Sequence, residues 1–144
     1  MKKFYVFLMV LFIGLFSACN KKLDLKASDF ADLDFVDMNY NMISAKLFNV
    51  LIEADKYVGK TVRFRGQYFV TSDAGLDQVL HSCLIYDATA CCQTGLQFML
   101  PEGKAYPVEH ANIEIVGKLS YTEINGMDYF YVACDDFTLL QDSE

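Results

Sequence analysis

From Lys60 onward the chain alternates apolar and polar residues, and two of its alternating runs carry a glycine at their middle. A side-chain period of two marks a strand with one buried face. Between Thr61 and Val70, the positions Val62, Phe64, Gly66, Tyr68 and Val70 share one face, and Arg63, Arg65 and Gln67 share the other. A second strand is expected from Val79 to Tyr86, and a third from Gly95 to Leu100 with Leu96, Phe98 and Leu100 inward. A fourth runs from Ile113 to Tyr121, where Ile113, Ile115, Gly117 and Leu119 alternate against Glu114, Lys118 and Ser120. Asn125-Gly126 is a tight-hairpin signal, because both residues tolerate positive φ. A fifth strand follows from Asp128 to Cys134. Glycine inside a strand gives up packing and marks a bulge or a sharp bend, so bends are expected at Gly66 and Gly117.

Ahead of the strands the period is helical. Ile43, Leu47, Val50, Leu51 and Ala54 recur at spacings of three and four, which predicts one amphipathic helix from Asn41 to Lys56. Val58-Gly59 ends it. A small barrel needs bent strands, because its first strand must pair on both sides. The expected fold is therefore mainly β: a five-stranded OB-fold-like small barrel preceded by one α-helix, over residues 41–141. Another small barrel, or a plain antiparallel sheet with one helix, satisfies the same pattern.

The N-terminus specifies an address. Lys2 and Lys3 precede an apolar run from Phe4 to Phe16, and Ser17-Ala18 lead into Cys19. A charged start, a short apolar stretch and a small-residue cleavage site make a signal peptide, here residues 1–18. The run is shorter than the roughly 20 residues that span a bilayer as a helix. With a cysteine at the cut, it resembles the lipobox of bacterial lipoproteins, in which the thiol is acylated and becomes the new N-terminus. That resemblance implies lipidation at Cys19, a palmitate-type anchor and a location in the bacterial cell envelope, facing outside the cytoplasm. Residues 19–40 are then the anchor and an acidic tether: Lys21, Lys22 and Lys26 mix with Asp24, Asp29, Asp32, Asp34 and Asp37, without a strong helical stripe. These aspartates lack the central Gly and terminal Glu of a calcium loop.

Two longer runs carry a further resemblance. Tyr57 to Gln67 reads Y-V-G-K-T-V-R-F-R-G-Q, and Asp87 to Phe98 reads D-A-T-A-C-C-Q-T-G-L-Q-F. Both are similar to runs in a family of uncharacterised bacterial OB-fold lipoproteins, related to domains described as tRNA-anticodon-binding-like. The resemblance covers roughly residues 41–140. It implies the barrel and the anchor; it assigns no activity and no binding residue, and a fold does not imply a function.

Charge narrows the partners. The formal net charge is −7 at neutral pH, and removal of Lys2 and Lys3 with the signal peptide makes it more acidic. Polyanion binding draws on clustered Lys and Arg, so nucleic acid is excluded as an expected partner. Anionic headgroups would repel the chain, leaving the lipid on Cys19 to hold the membrane.

Beyond Cys19 stand Cys83, Cys91, Cys92 and Cys134. Export to an oxidising compartment favours bridges, and an even count permits two, with Cys83 or Cys134 as partners for Cys91 or Cys92. Adjacent cysteines rarely bond to each other. A soft-metal site for zinc or copper is the second reading. His81 and Cys83 share a strand face, and a turn after Asp87 would bring Cys91 or Cys92 back beside them. Reactive-thiol chemistry is the third, and it requires nearby cations or a helix start, which the sequence does not supply here.

Catalytic signatures are absent from the sequence. It has no G-x-S-x-G, H-E-x-x-H, phosphate cradle or dinucleotide fingerprint, and His81 and His110 are its only histidines. Asp135-Asp136 and Glu123 read as barrel-end acids. OB-folds bind oligonucleotides and oligosaccharides across one strand face and its loops, which makes Arg63, Arg65, Gln67, Tyr129 and Tyr131 the ligand-face candidates. The competing reading pairs the arginines with carboxylates and puts the tyrosines into the core. The sequence thus leads to a non-catalytic, lipid-anchored binding module without a resident cofactor, its partner an envelope protein or a small envelope component. The alternative is a metal-handling or thiol-redox lipoprotein using Cys91, Cys92, Cys83 and His81.

Overall fold

Asn39 fixes where the helix begins, since its side-chain oxygen accepts the Met42 N–H at 3.0 Å and so satisfies one orphan donor of the first turn. In the computed structural model, which describes residues 31–73, 78–124 and 126–141, helix α1 runs Tyr40–Ile52. A short 3-10 turn follows at Ala54–Lys56. Ile43, Leu47, Val50 and Ala54 are buried as expected. Leu51, expected with them, is 43% exposed, because it lies a step of about 100° around the axis from Val50. The signal peptide at 1–18, Cys19 and the first part of the tether lie outside the described residues, as does Asn125.

The strands are β1 Leu33–Asp34, β2 Thr61–Asp73, β3 Gln78–Tyr86, β4 Gln93–Met99, β5 Asn112–Ile124 and β6 Met127–Leu139. They form one six-stranded sheet in the order β1-β2-β3-β4-β6-β5, with a further pairing of β2 to β5. The mainly-β expectation with one helix ahead of the long strands holds. β2 divides its length between two neighbours: residues 61–67 pair with β5 and residues 67–73 with β3. β4 and β6 run parallel through Phe98↔Val132 and Met99↔Ala133. β2, β5 and β6 run on past the expected strands, to Asp73, Ile124 and Leu139.

Both expected bends are visible. β2 changes partner immediately after Gly66, and the β5–β6 register shifts between Ile115 and Gly117. A Cβ on Gly66 would stand 2.4 Å from the Leu84 carbonyl oxygen, and one on Gly117 would stand 2.2 Å from that of Ala133. Only glycine permits these approaches. Around them pack Val62, Phe64, Tyr68, Ile113, Ile115 and Val132, all at most 2% exposed.

The tether expectation is corrected over its described part. Leu33 and Phe35 are 6% and 1% exposed, and β1 pairs parallel with β2. Asp32 accepts the Thr61 N–H at 2.8 Å, and Asp34 pairs with Arg63 at 3.3 Å. The physical reason is the alternation Asp32-Leu33-Asp34-Phe35, a strand pattern too short to stand out from an acidic stretch. No helix among the described residues is long and apolar enough to cross a membrane.

Candidate functional site

β4 keeps only short pairings with its two neighbours, and where they stop an aromatic cleft opens. β3 pairs with β4 only from Ser82 onward, while Gln78 to His81 pair with β2 alone. β6 meets β4 only at Val132 and Ala133. The β2–β3 arm and the β5–β6 arm therefore stand apart, and between them lies a cleft of about 210 Å³. Its walls are His81 from β3, Gln97, Phe98 and Met99 from β4, Thr122 and Ile124 from β5, and Tyr129 and Tyr131 from β6, with Tyr106 from the β4–β5 connection. The described lining contains no Lys, Arg, Asp or Glu.

Its floor is a fixed aromatic stack. Tyr68 Oη and His81 Nδ1 are hydrogen-bonded at 2.7 Å. The His81 ring lies on Tyr106 with centroids 3.5 Å apart and planes within 10°, and Phe98 meets Tyr68 edge-on at 5.9 Å. Tyr106 Oη accepts the Leu100 N–H at 3.0 Å, which ties the connection to the end of β4. Burial lowers the His81 pKa from its ordinary 6.5, so the ring is neutral at neutral pH and the cleft carries no charge. Sequence reasoning found Tyr129 and Tyr131 and missed Tyr106. Its one signal was a lone aromatic between Pro101 and Pro107 in an otherwise polar stretch.

Arg63, Arg65 and Gln67 are placed elsewhere. Glu114 Oε2 accepts from Arg63 Nη2 at 3.1 Å and from Arg65 Nε at 2.5 Å. Gln67 Nε2 donates to the His110 carbonyl at 2.9 Å. Glu114, expected to face outward, is 9% exposed beneath this pair. Burial acts to raise its pKa, but the hydrogen bonds and charges of Arg63 and Arg65 prevail and hold it below the ordinary 4.5. The expected ligand face is thus two surfaces, and only its tyrosines line the cleft.

All four cysteines of the described residues are free thiols. Cys83 and Cys134 are buried in the core, where burial pushes the Cys83 thiol far up and that of Cys134 up to about 12. Neither is bridged to Cys91 or Cys92, which are exposed on the β3–β4 turn. Nor do His81 and Cys83 gather the pair, since His81 is committed to the aromatic stack. The turn after Asp87 instead folds the cysteines onto Asp87 itself. Ala90 donates its N–H to the Asp87 carbonyl at 3.0 Å and takes a positive φ of 53°. Asp87 Oδ1 then accepts the Cys91 N–H at 3.0 Å, and Oδ2 accepts from Thr89 Oγ1 at 3.0 Å and from Cys91 Sγ at 3.3 Å. The two Sγ atoms are 3.6 Å apart. Among the described residues this is the one group of three metal-ligating side chains. Sequence reasoning named the two cysteines and missed Asp87, whose one signal is its place at the head of the same turn.

Comparison with protein-family models, with curated proteins and with solved structures finds no match to this chain.

Proposed function

We propose that the chain is a lipid-anchored binding module of the bacterial envelope, facing outside the cytoplasm, that holds an uncharged glycan segment in its aromatic cleft and catalyses nothing. The scaffold is read as an OB-fold barrel. In support, the ladder passes from β2 to β3, β4, β6 and β5 and returns to β2, with β4 and β6 parallel. The address rests on Lys2, Lys3, the apolar run from Phe4 to Phe16 and Ser17-Ala18-Cys19, and the family resemblance rests on the two runs around Gly66 and Cys91.

One observation carries the ligand class: Tyr106, Tyr129 and Tyr131 share an uncharged cleft with the amides of Gln78 and Gln97. Flat aromatic faces cover the C–H faces of sugar rings, and a few placed polar groups fix orientation. OB-folds take oligosaccharides on the equivalent surface. An anionic ligand would find no cation in the described lining and an acidic molecule around it.

The test is a titration of the full chain in detergent with neutral and with anionic envelope oligosaccharides, followed by NMR of the tyrosine rings. Neutral glycans should shift the cleft tyrosines, and Tyr131→Ala should weaken binding at least tenfold. A preference for the anionic set, or binding unchanged by Tyr131→Ala, would overturn the reading.

A further inference from the structure

The β3–β4 turn, at the opposite end of these strands from the cleft, holds chemistry that the binding reading does not use. Asp87, Cys91 and Cys92 each offer a ligand atom, and these atoms lie within 4.8 Å of one another. We propose that Asp87, Cys91 and Cys92 form a zinc site with two thiolates and one carboxylate as ligands, the fourth position being left to water or to a donor from another molecule.

The distances favour a tetrahedral ion. Zinc bonds of about 2.3 Å to sulfur and about 2.0 Å to oxygen give tetrahedral edges of about 3.8 Å between sulfurs and about 3.5 Å from sulfur to oxygen. The turn presents 3.6 Å between the sulfurs and 3.3 Å from Cys91 Sγ to Asp87 Oδ2. Only a few tenths of an ångström separate the two sets. A linear two-thiolate ion with bonds of the same length would set the sulfurs about 4.6 Å apart, which fits cuprous copper less well. A disulfide would need them at about 2.05 Å and would strain the adjacent pair.

The surroundings of the turn act in the same direction. Thr89 Oγ1 lies 3.1 Å from Cys91 Sγ and bonds the Asp87 carboxylate, the kind of outer contact that orients metal ligands. Asp87 makes no ion pair among the described residues. Binding of Zn²⁺ would release the two thiol protons to solvent.

Co²⁺ is the probe, added to the full chain in detergent after reduction and removal of metal. One Co²⁺ per chain should bind with thiolate-to-metal charge-transfer absorption and tetrahedral d–d bands, and Zn²⁺ should displace it. Cys91→Ser and Cys92→Ser should each weaken binding at least tenfold. On the unaltered chain, Zn²⁺ should shield Cys91 and Cys92 from iodoacetamide. Absence of the charge-transfer band, its survival in the double variant, or equal alkylation with and without Zn²⁺ would each overturn the site.

Discussion

Glu114 shows how a residue can be read correctly as part of a strand and wrongly as part of a surface. Its place in the alternation faces it outward, yet two arginines from β2 close over it. The pattern records which face a residue is on; it does not record that a carboxylate and two guanidiniums on that face will cover one another. Glu114→Ala leaves Arg65 without its carboxylate and Arg63 with Asp34 alone, and should cost about 3 kcal/mol in denaturant unfolding, with Glu114→Gln milder because it keeps shape and one acceptor. Because the folded carboxyl lies below 4.5, its stabilisation is complete above that pH and is lost as pH falls beneath it. An acid titration should show this loss in the parent and a flatter profile in Glu114→Gln. His81 acts earlier on the same axis. Its folded pKa is lowered from 6.5 by burial, so the stability held by the neutral ring is present above that pH and declines as pH falls through it. Tyr68→Phe, which removes the Tyr68–His81 hydrogen bond, should cost about 1 kcal/mol.

At the scale of elements, glycines and periodicity were the readable signals. Gly66 and Gly117 announced the bends, and their substitution is a direct check on the strand approaches. Gly66→Ala and Gly117→Ala should each cost at least about 2 kcal/mol, because backbone carbonyls occupy the Cβ positions. The helix face is tested by neighbours. Leu47 is 2% exposed and Phe48 is 65% exposed. Leu47→Ala should lower stability by about 2–5 kcal/mol, whereas Phe48→Ala should change it by no more than about 0.5 kcal/mol. What the sequence concealed at this scale was β1. Two residues are too few for a period, and their aspartate neighbours read as solvated until Thr61, Lys60 and Arg63 are seen to engage them.

For the whole molecule, the sites were less readable than the fold because they depend on where strands stop. The cleft lies where β3 before Ser82 and β6 before Val132 have no β4 partner, and no local pattern encodes where a pairing stops. Tyr129 and Tyr131 could be named from their strand, but Tyr106 reaches the same space from a connection without period. The thiol pair was legible as a turn; its partner Asp87 emerged only when the turn closed on itself. Neither site has a bearing on physiology unless the chain stands where its first residues direct it. The measurement that tests this most directly is labelling of growing cells with radioactive palmitate, with membrane fractionation of the parent and of Cys19→Ser. Label in the parent only, and release of Cys19→Ser from its lipid-held state, is the result expected here. An unlabelled parent, or a Cys19→Ser chain that stays equally membrane-bound, would contradict the account.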